Sequence, residues 1–181
     1  MIDPMFFGYG SLVNRATHAY PDLRPARLAG WRRVWRHTDI SETAFLTAVP
    51  HADTTIDGVL ARVPGGDWAA LDLRETGYER VAVRIDAADA AVYSIAEGRH
   101  GAPETPRHIL LSYLDAVIQG FLREFGAEGV ARFFATTDGW DAPVLDDRGA
   151  PRYPRHQTLN DDERALVDRG LAGVGVRPVP A

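Results

Sequence analysis

At residues 5–12 the chain reads MFFGYGSL, a short apolar run that passes directly into two glycines on either side of a tyrosine. The apolar run predicts a buried strand, and the glycines predict a turn at its end. Glycine lets the backbone approach a ligand closely and turn its N–H groups toward it, which suits a carboxylate or a phosphate. Taken alone, the stretch is explained equally well as a tight turn without a ligand.

The residues after this turn exclude three known motifs. A dinucleotide-binding GxGxxG sequence needs a further glycine at the position of Val13. A P-loop needs a lysine, and the chain contains none, since all 20 of its basic residues are arginine. A hydrolase centred on Ser11 is disfavoured because the GxSxG elbow is absent and no His/Asp partner is indicated.

A second segment, residues 71–81, reads LDLRETGYERV and predicts a short helix, ended by Gly77, that leads into a half-buried strand. Glu75 stands at the end of this helix. A carboxyl group there can be partly desolvated, which raises its pKa toward neutrality and suits it to proton transfer. The segment alone is explained better by a surface ion pair of Glu75 with Arg74 or Arg80.

The remaining pattern predicts strands in the first half of the chain and helices in the second, which favours an α+β fold over a doubly wound α/β fold. The further strands are expected at 28–38, 44–49, 56–63, 78–85 and 91–96. A turn is expected at 50–53. Trp31 and Trp35 are expected to share a face of the second strand, with the arginines between them facing out.

The second half is expected to hold two helices separated by a long irregular segment, 138–157. The first is capped by Thr105 and ended by Gly126, and the last follows a capping box of Asn160 and Glu163. We interpret residues 1–181 as one domain, with a core at 5–125, a C-terminal loop and helix at 126–172 and a tail at 173–181.

Composition excludes several classes of chemistry. The absence of cysteine excludes disulfides, thiol nucleophiles and thiolate zinc sites, and the absence of lysine excludes a Schiff base. The six histidines show neither HxH nor HExxH spacing, so we expect neither a metal nor a cofactor. A net charge of -5 disfavours nucleic acid as a partner. Without a long apolar run or a secretory signal, we expect a cytoplasmic protein that does not bind membranes.

Together, the strand ending in FGYGSL and the later LDLRETGYERV segment resemble the gamma-glutamylcyclotransferase superfamily, over roughly residues 5–97. This superfamily includes gamma-glutamylcyclotransferases, ChaC-type glutathione-degrading enzymes, gamma-glutamylamine cyclotransferases and AIG2-like proteins. The resemblance implies a small mixed β-barrel of about five to seven strands with flanking helices. It also implies an enzyme that needs no cofactor and converts a small-molecule gamma-glutamyl amide into 5-oxoproline and a free amine or amino acid.

The resemblance assigns roles to particular residues. It places the catalytic glutamate on Glu75, before the Gly77-Tyr78 pair. Glu79 is the competing carboxylate, although strand alternation turns it to the face opposite Tyr78. Substrate binding falls on the turn after the first strand and on one tyrosine beyond the helix: Tyr9, Gly10, Ser11, Leu12 and Tyr78.

Several alternatives stay open. ChaC-type enzymes continue the first motif as YGSLIW, where this chain has Val13 and Asn14, and the YGSN sequence of the classical gamma-glutamylcyclotransferases is absent, so the amide is not identified. A gamma-glutamylamine or an acylated antibiotic precursor is a second possible substrate. A non-catalytic protein that senses a gamma-glutamyl metabolite is a different class of answer. Secondary pocket candidates, explained better by core packing or a solvated loop, are Tyr93, Tyr113, Arg152, Tyr153 and Arg155.

Overall fold

Residues 3–181 are described in the computed structural model, and a mixed sheet forms the larger part of the fold. Its strands are β1 (Met5–Gly8), β2 (Arg24–Arg36), β3 (Phe45–Arg62), β4 (Glu79–Ile85), β5 (Ala88–Ser94) and, later in the chain, β7 (Thr137–Asp138). Their order is β4-β5-β1-β3-β2-β7, with β1 parallel to β5 and antiparallel to β3. The predicted mixed α+β class and strand number are confirmed, and the sheet runs from β4 to β7 without closing into a barrel.

The strands β2 and β3 form one long antiparallel pair where shorter strands were predicted. The expected turn at 50–53 is wrong, because Pro50 pairs with Trp31 and the register resumes where Ala29 pairs with Thr55. Residues 51–54 therefore bulge out opposite Gly30, whose φ of 78° accommodates the bend. Proline is tolerated in a strand at such a bulge, so the signal for a turn marks an irregularity within β3.

The face assigned to the arginines of β2 is also wrong for one of them. Alternate residues of a strand share a face, so Arg33 lies on the same side as Trp31 and Trp35. Arg33 is completely buried, whereas Arg32 on the opposite face pairs with Asp138 at 2.5 Å.

Three helices accompany the sheet: α1 (Ala69–Arg74), α2 (Leu111–Ala135) and α3 (Asp161–Gly173). The predicted start of α2 at Thr105 is wrong, because residues Ile109–Leu110 form strand β6, which pairs with β8 (Val144–Asp146). Gly126 interrupts α2 with a φ of 67°, as expected of a helix-ending glycine, but the chain resumes as helix to Ala135. The capping box of α3 is confirmed, since Asn160 and Glu163 bond each other's backbone N–H groups.

The main core lies between the sheet and the α2 helix, and it draws residues from both halves of the chain, including Phe7, Leu60, Leu114, Phe121 and Val167. The expected tail contains a short strand, β9 (Val179–Pro180), which pairs with β8. Within residues 3–181, the helices are all too short or too polar to cross a membrane.

Candidate functional site

A cavity of about 180 Å³ opens where the turn after β1, the end of α1 and the start of α2 meet. A narrower space, the inner space, continues from the cavity along the turn. The residues that line both the cavity and the inner space are Ser11, Leu46, Glu75, Tyr78 and Tyr113. The structure brings all six predicted site residues to these connected spaces. Those that line only the inner space are Tyr9, Gly10 and Leu12.

The turn after β1 lines the cavity and the inner space. Residues Ser11–Val13 form one turn of 3-10 helix that begins at Gly10. The first N–H groups of a helical turn have no partner within it, and the Ser11 N–H lies against the hydroxyl of Tyr113. Close packing explains why position 8 is a glycine, because a β-carbon there would lie only 2.6 Å from Leu12 Cβ.

The buried guanidinium group of Arg33 is hydrogen-bonded to the backbone of this turn. The Nε atom of Arg33 donates to the carbonyl oxygen of Tyr9 at 2.9 Å, and one of its terminal nitrogens donates to the carbonyl of Asp57. Burial lowers the pKa of Arg33, while the nearby Asp57 carboxylate raises it. The guanidinium carbon lies 4.9 Å from the ring centroids of both Phe121 and Phe133, whose rings also pack against each other. Sequence reasoning missed Arg33, although its position between two tryptophans on one strand face was the signal.

Glu75 ends α1 at the wall of the cavity. Its N–H donates to Leu71 O at 2.9 Å, and its carbonyl accepts the N–H of Tyr78 at 3.0 Å. The predicted ion pair with Arg74 exists, with Nε 3.3 Å from Oε1, but it is not at the surface, since the side chains are only 7% and 17% exposed for Arg74 and Glu75. Burial raises the pKa of Glu75, against the opposing charges of Arg74 and Arg155.

Arg74 connects this carboxylate to the turn after β1. Its terminal nitrogens donate to Ser11 Oγ at 3.1 Å and to Thr17 O at 2.9 Å, while Nε faces Glu75. The other candidate partner, Arg80, pairs instead with Asp72 at 3.0 Å outside the cavity. The base candidate and the backbone donors are therefore held by one side chain in a fixed relation.

Two tyrosines that line these spaces donate their hydroxyl protons to backbone carbonyls. Tyr78 donates to Leu46 O at 2.8 Å, and Tyr9 donates to Tyr93 O at 2.6 Å. Burial raises the pKa of both phenols, so they stay neutral. Tyr113 places its hydroxyl against Gly10, where a β-carbon would lie only 2.8 Å away. Tyr93 lines the inner space as well, with its own hydroxyl bonded to Asp72 at 2.5 Å.

The competing carboxylate lies elsewhere. Glu79 begins β4 and pairs with Arg99 at 2.8 Å, and it lines neither of the two spaces.

The two residues that depart from the family patterns also lie away from the cavity. Val13 is fully buried in the main core. Asn14 donates through its amide to Ala116 O at 2.8 Å and to Gln119 Oε1 at 3.0 Å. Asn14 therefore anchors the turn to α2, and neither Val13 nor Asn14 lines the cavity or the inner space.

A loop after β8 forms the outer wall. The buried Asp147 carboxylate accepts the N–H and the hydroxyl of Ser112 at 2.8 and 2.6 Å, and the N–H of Arg152 at 2.9 Å. Tyr153 then packs its ring edge-on against Tyr113, with centroids 5.0 Å apart. The cavity is lined by Tyr153 and Arg155, whereas Arg152 points to Glu42 at 3.8 Å. Across residues 3–181 there is no cluster of acidic and histidine side chains that could hold a metal ion.

Comparisons with known proteins agree with the fold. The human protein described as uncharacterized protein loc79017 aligns over 92% of this chain and 98% of its own, with 14% identity and a TM-score of 0.58. A structure described as gamma-glutamyl cyclotransferase aligns over 93% and 99%, with 13% identity and a TM-score of 0.54. YkqA from Bacillus subtilis aligns over 77% of this chain but only 57% of its own length, with 18% identity and a TM-score of 0.54. No curated protein matches the chain in sequence.

The family follows from the sequence match. The family described as "Gamma-glutamyl cyclotransferase, AIG2-like" matches residues 6–111, which include the turn after β1, the Glu75 helix end, β1 except for Met5 and all of β2 to β5. The match covers more than half of the chain. This chain therefore belongs to the AIG2-like gamma-glutamyl cyclotransferase family.

Proposed function

We propose that this protein is a gamma-glutamyl cyclotransferase that releases 5-oxoproline and a free amine or amino acid from a gamma-glutamyl amide. One observation carries the proposal: a carboxylate of raised pKa, Glu75, lines the same inner space as Ser11 and Leu12, the residues at the N-terminal end of a helical turn. The first supplies a base and the second supplies an anion site, and the reaction needs both. No cofactor is required for it.

The reaction begins with a proton transfer. The α-amine of the substrate is mostly protonated at neutral pH and must lose a proton before its nitrogen attacks the γ-carbonyl carbon. Glu75 accepts this proton, and its raised pKa makes it a stronger base than an ordinary carboxylate. As the new C–N bond closes the ring and the old amide C–N bond breaks, Glu75 returns its proton to the leaving nitrogen. The ring nitrogen loses its second proton, the released amine takes it up, and the products are the neutral lactam and an ammonium group. Such acid–base catalysis supplies a factor of about 10²–10⁴.

Positioning supplies much of the remaining acceleration. A flexible gamma-glutamyl chain must fold so that its two ends meet, and holding it there removes most of the entropic cost of closure. The N–H groups of Ser11 and Leu12 bind the α-carboxylate, and they support negative charge that develops on the γ-oxygen. Arg33 keeps the turn in place through the Tyr9 carbonyl.

The test compares two glutamate variants that lie close in sequence. Glu75→Gln keeps the shape and removes the base, so 5-oxoproline release from a panel of glutathione, gamma-glutamyl amino acids and gamma-glutamylamines should fall by about 10²–10⁴-fold. Glu79→Gln is the matched control, because its side chain bonds Arg99 outside the cavity, and it should stay near wild type. Near-normal turnover in folded Glu75→Gln would refute the assignment. Binding without turnover by the wild-type protein would favour the sensor instead.

A further inference from the structure

An arginine at the outer end of the cavity, Arg155, forms no ion pair with the residues that the structure describes, 3–181. Of the two guanidinium groups that line the cavity, Arg74 is engaged by Glu75, Ser11 and Thr17. The exposed guanidinium of Arg155, by contrast, makes no ion pair or hydrogen bond with any residue from 3 to 181, and only its carbonyl is used, by Gln157. Two guanidiniums against one carboxylate leave the cavity with an excess of positive charge.

We propose that Arg155 binds a carboxylate on the amine half of the substrate, which makes gamma-glutamyl amino acids or peptides the substrate class rather than gamma-glutamylamines. This inference rests on the proposed function and deepens it. Arg155 is a specificity-determining residue in this scheme, acting on the part of the substrate that leaves.

The order of groups along the cavity supports this assignment. The inner space holds the turn after β1, so the α-carboxylate and the γ-glutamyl chain occupy that end, with the scissile amide beside Glu75. The leaving half must then extend outward, toward Tyr153 and Arg155. The cavity of about 180 Å³ is small beside the roughly 300–1,000 Å³ of pockets for drug-sized ligands, so a short leaving group brings its own charge near Arg155.

Charge balance points the same way. A gamma-glutamyl amino acid carries two carboxylates and one ammonium group, so its net charge is negative, whereas a gamma-glutamylalkylamine is a neutral zwitterion. The excess positive charge of the cavity complements the first and not the second. A guanidinium also matches a carboxylate in geometry, because two N–H groups can donate to its two oxygens in parallel.

The loop presents Arg155 in a fixed place. Asp147 and Ser112 hold the backbone of Arg152 and Tyr153, and Pro154 restricts the chain just before Arg155. A preorganised loop loses less conformational entropy when it binds a ligand than a flexible one does.

The experiment uses two amides that differ only in the carboxylate, gamma-glutamylalanine and gamma-glutamylethylamide. The kcat/KM for 5-oxoproline release is measured for wild type, for Arg155→Gln and for Arg152→Gln, the control from the same loop that lies outside the cavity. Arg155→Gln should lower the preference for gamma-glutamylalanine by about five-fold, as expected of an exposed ion pair, and Arg152→Gln should leave it unchanged. High salt should weaken the wild-type preference because it screens an exposed pair.

An equal loss for both amides in Arg155→Gln would overturn the inference, because Arg155 would then hold a group common to both, such as the α-carboxylate. An unchanged preference would overturn it too. Calorimetric titration of both amides into Glu75→Gln and into Glu75→Gln/Arg155→Gln measures binding without turnover. It therefore separates a failure of this inference from a failure of the proposed function. If wild type released no 5-oxoproline, the cyclotransferase proposal would fall, while a carboxylate preference in binding that disappears with Arg155→Gln would still support the inference.

Discussion

Replacing Gly10 by alanine tests how closely the turn after β1 is fitted to its surroundings. A β-carbon there would stand 2.8 Å from Tyr113 Oη and 3.3 Å from Leu46 Cδ2. The first distance is about 0.6 Å short of the 3.4 Å at which ordinary contact begins. The ring of Tyr113 cannot swing away freely, because it packs edge-on against Trp35 and Tyr153, with centroids 6.0 and 5.0 Å away. The turn itself must therefore move by several tenths of an ångström.

Two losses should follow from that movement. Forcing extra atoms into a packed site costs about 1–3 kcal/mol of unfolding free energy. Displacing a substrate-positioning group by about 1 Å can cost 10²-fold in rate, so we expect Gly10→Ala to lower kcat/KM by at least about ten-fold. Urea unfolding and 5-oxoproline release measure the two effects separately.

A second substitution shows whether the hydroxyl of Tyr113 is the cause. The stability lost on changing Gly10 to alanine should be smaller in the Tyr113→Phe background than in the wild-type protein. The difference between the two losses is the coupling energy, and we expect it to be about 0.5–3 kcal/mol. Gly149→Ala is the control, because a β-carbon there meets nothing within 4 Å. If alanine at Gly10 were equally costly with and without the Tyr113 hydroxyl, the steric reasoning would be wrong.

Three further predictions concern buried charge. Glu75→Gln should raise the unfolding free energy at pH 7, because burial raises the folded-state pKa of this carboxyl and its ionisation therefore costs stability. The gain in stability should disappear below the unfolded-state pKa, where the carboxyl is protonated in both states. Urea unfolding measured across pH tests this, and a loss of stability at pH 7 would contradict it. Arg155→Gln should move the acid limb of the kcat/KM profile to higher pH, because the charge of Arg155 lowers the pKa of Glu75, and a limb that stayed or moved down would count against the base assignment. Arg33→Met should cost about 1–3 kcal/mol for each buried carbonyl that loses its donor, those of Tyr9 and Asp57. Arg27→Met, whose side chain is 63% exposed, should cost far less, and equal losses in urea would argue against a special role for Arg33.

Local signals in the sequence predicted local structure well. The capping box of Asn160 and Glu163 and the helix-ending Gly77, with a φ of 97°, depend on residues within one turn of each other. The predictions that failed depended on distant partners. Pro50 predicts a turn when its neighbours alone are considered, but 12 residue pairs join β2 to β3. The strand therefore continues past Pro50, with a bulge at residues 51–54. Thr105 and Pro106 are a good helix start in isolation, yet pairing with β8 keeps the following residues extended.

The predictions about the site divide in the same way, into those that local sequence supports and those that depend on distant partners. The resemblance brought out Glu75 and the turn after β1, and the structure places them on one cavity. It did not bring out the burial of the Glu75–Arg74 pair, because sequence alone does not show which elements cover a helix end. Arg155 was one of several arginines in an irregular loop, and the structure distinguishes it from Arg152 because Arg155 lines the cavity whereas Arg152 faces Glu42.

The anchoring of the loop after β8 has a consequence for how substrate choice can diverge. Residues 148–155 lie outside the 6–111 segment shared with the family, and Asp147 fastens them to the start of α2 through Ser112. An exchange of that loop keeps Glu75, its arginine partner and the turn after β1 in the chain, and it changes the charge of Arg155 near Glu75 and the ring of Tyr153 against Tyr113. Under the proposed function, a change of leaving group is therefore a problem of grafting one short segment between Asp147 and α3.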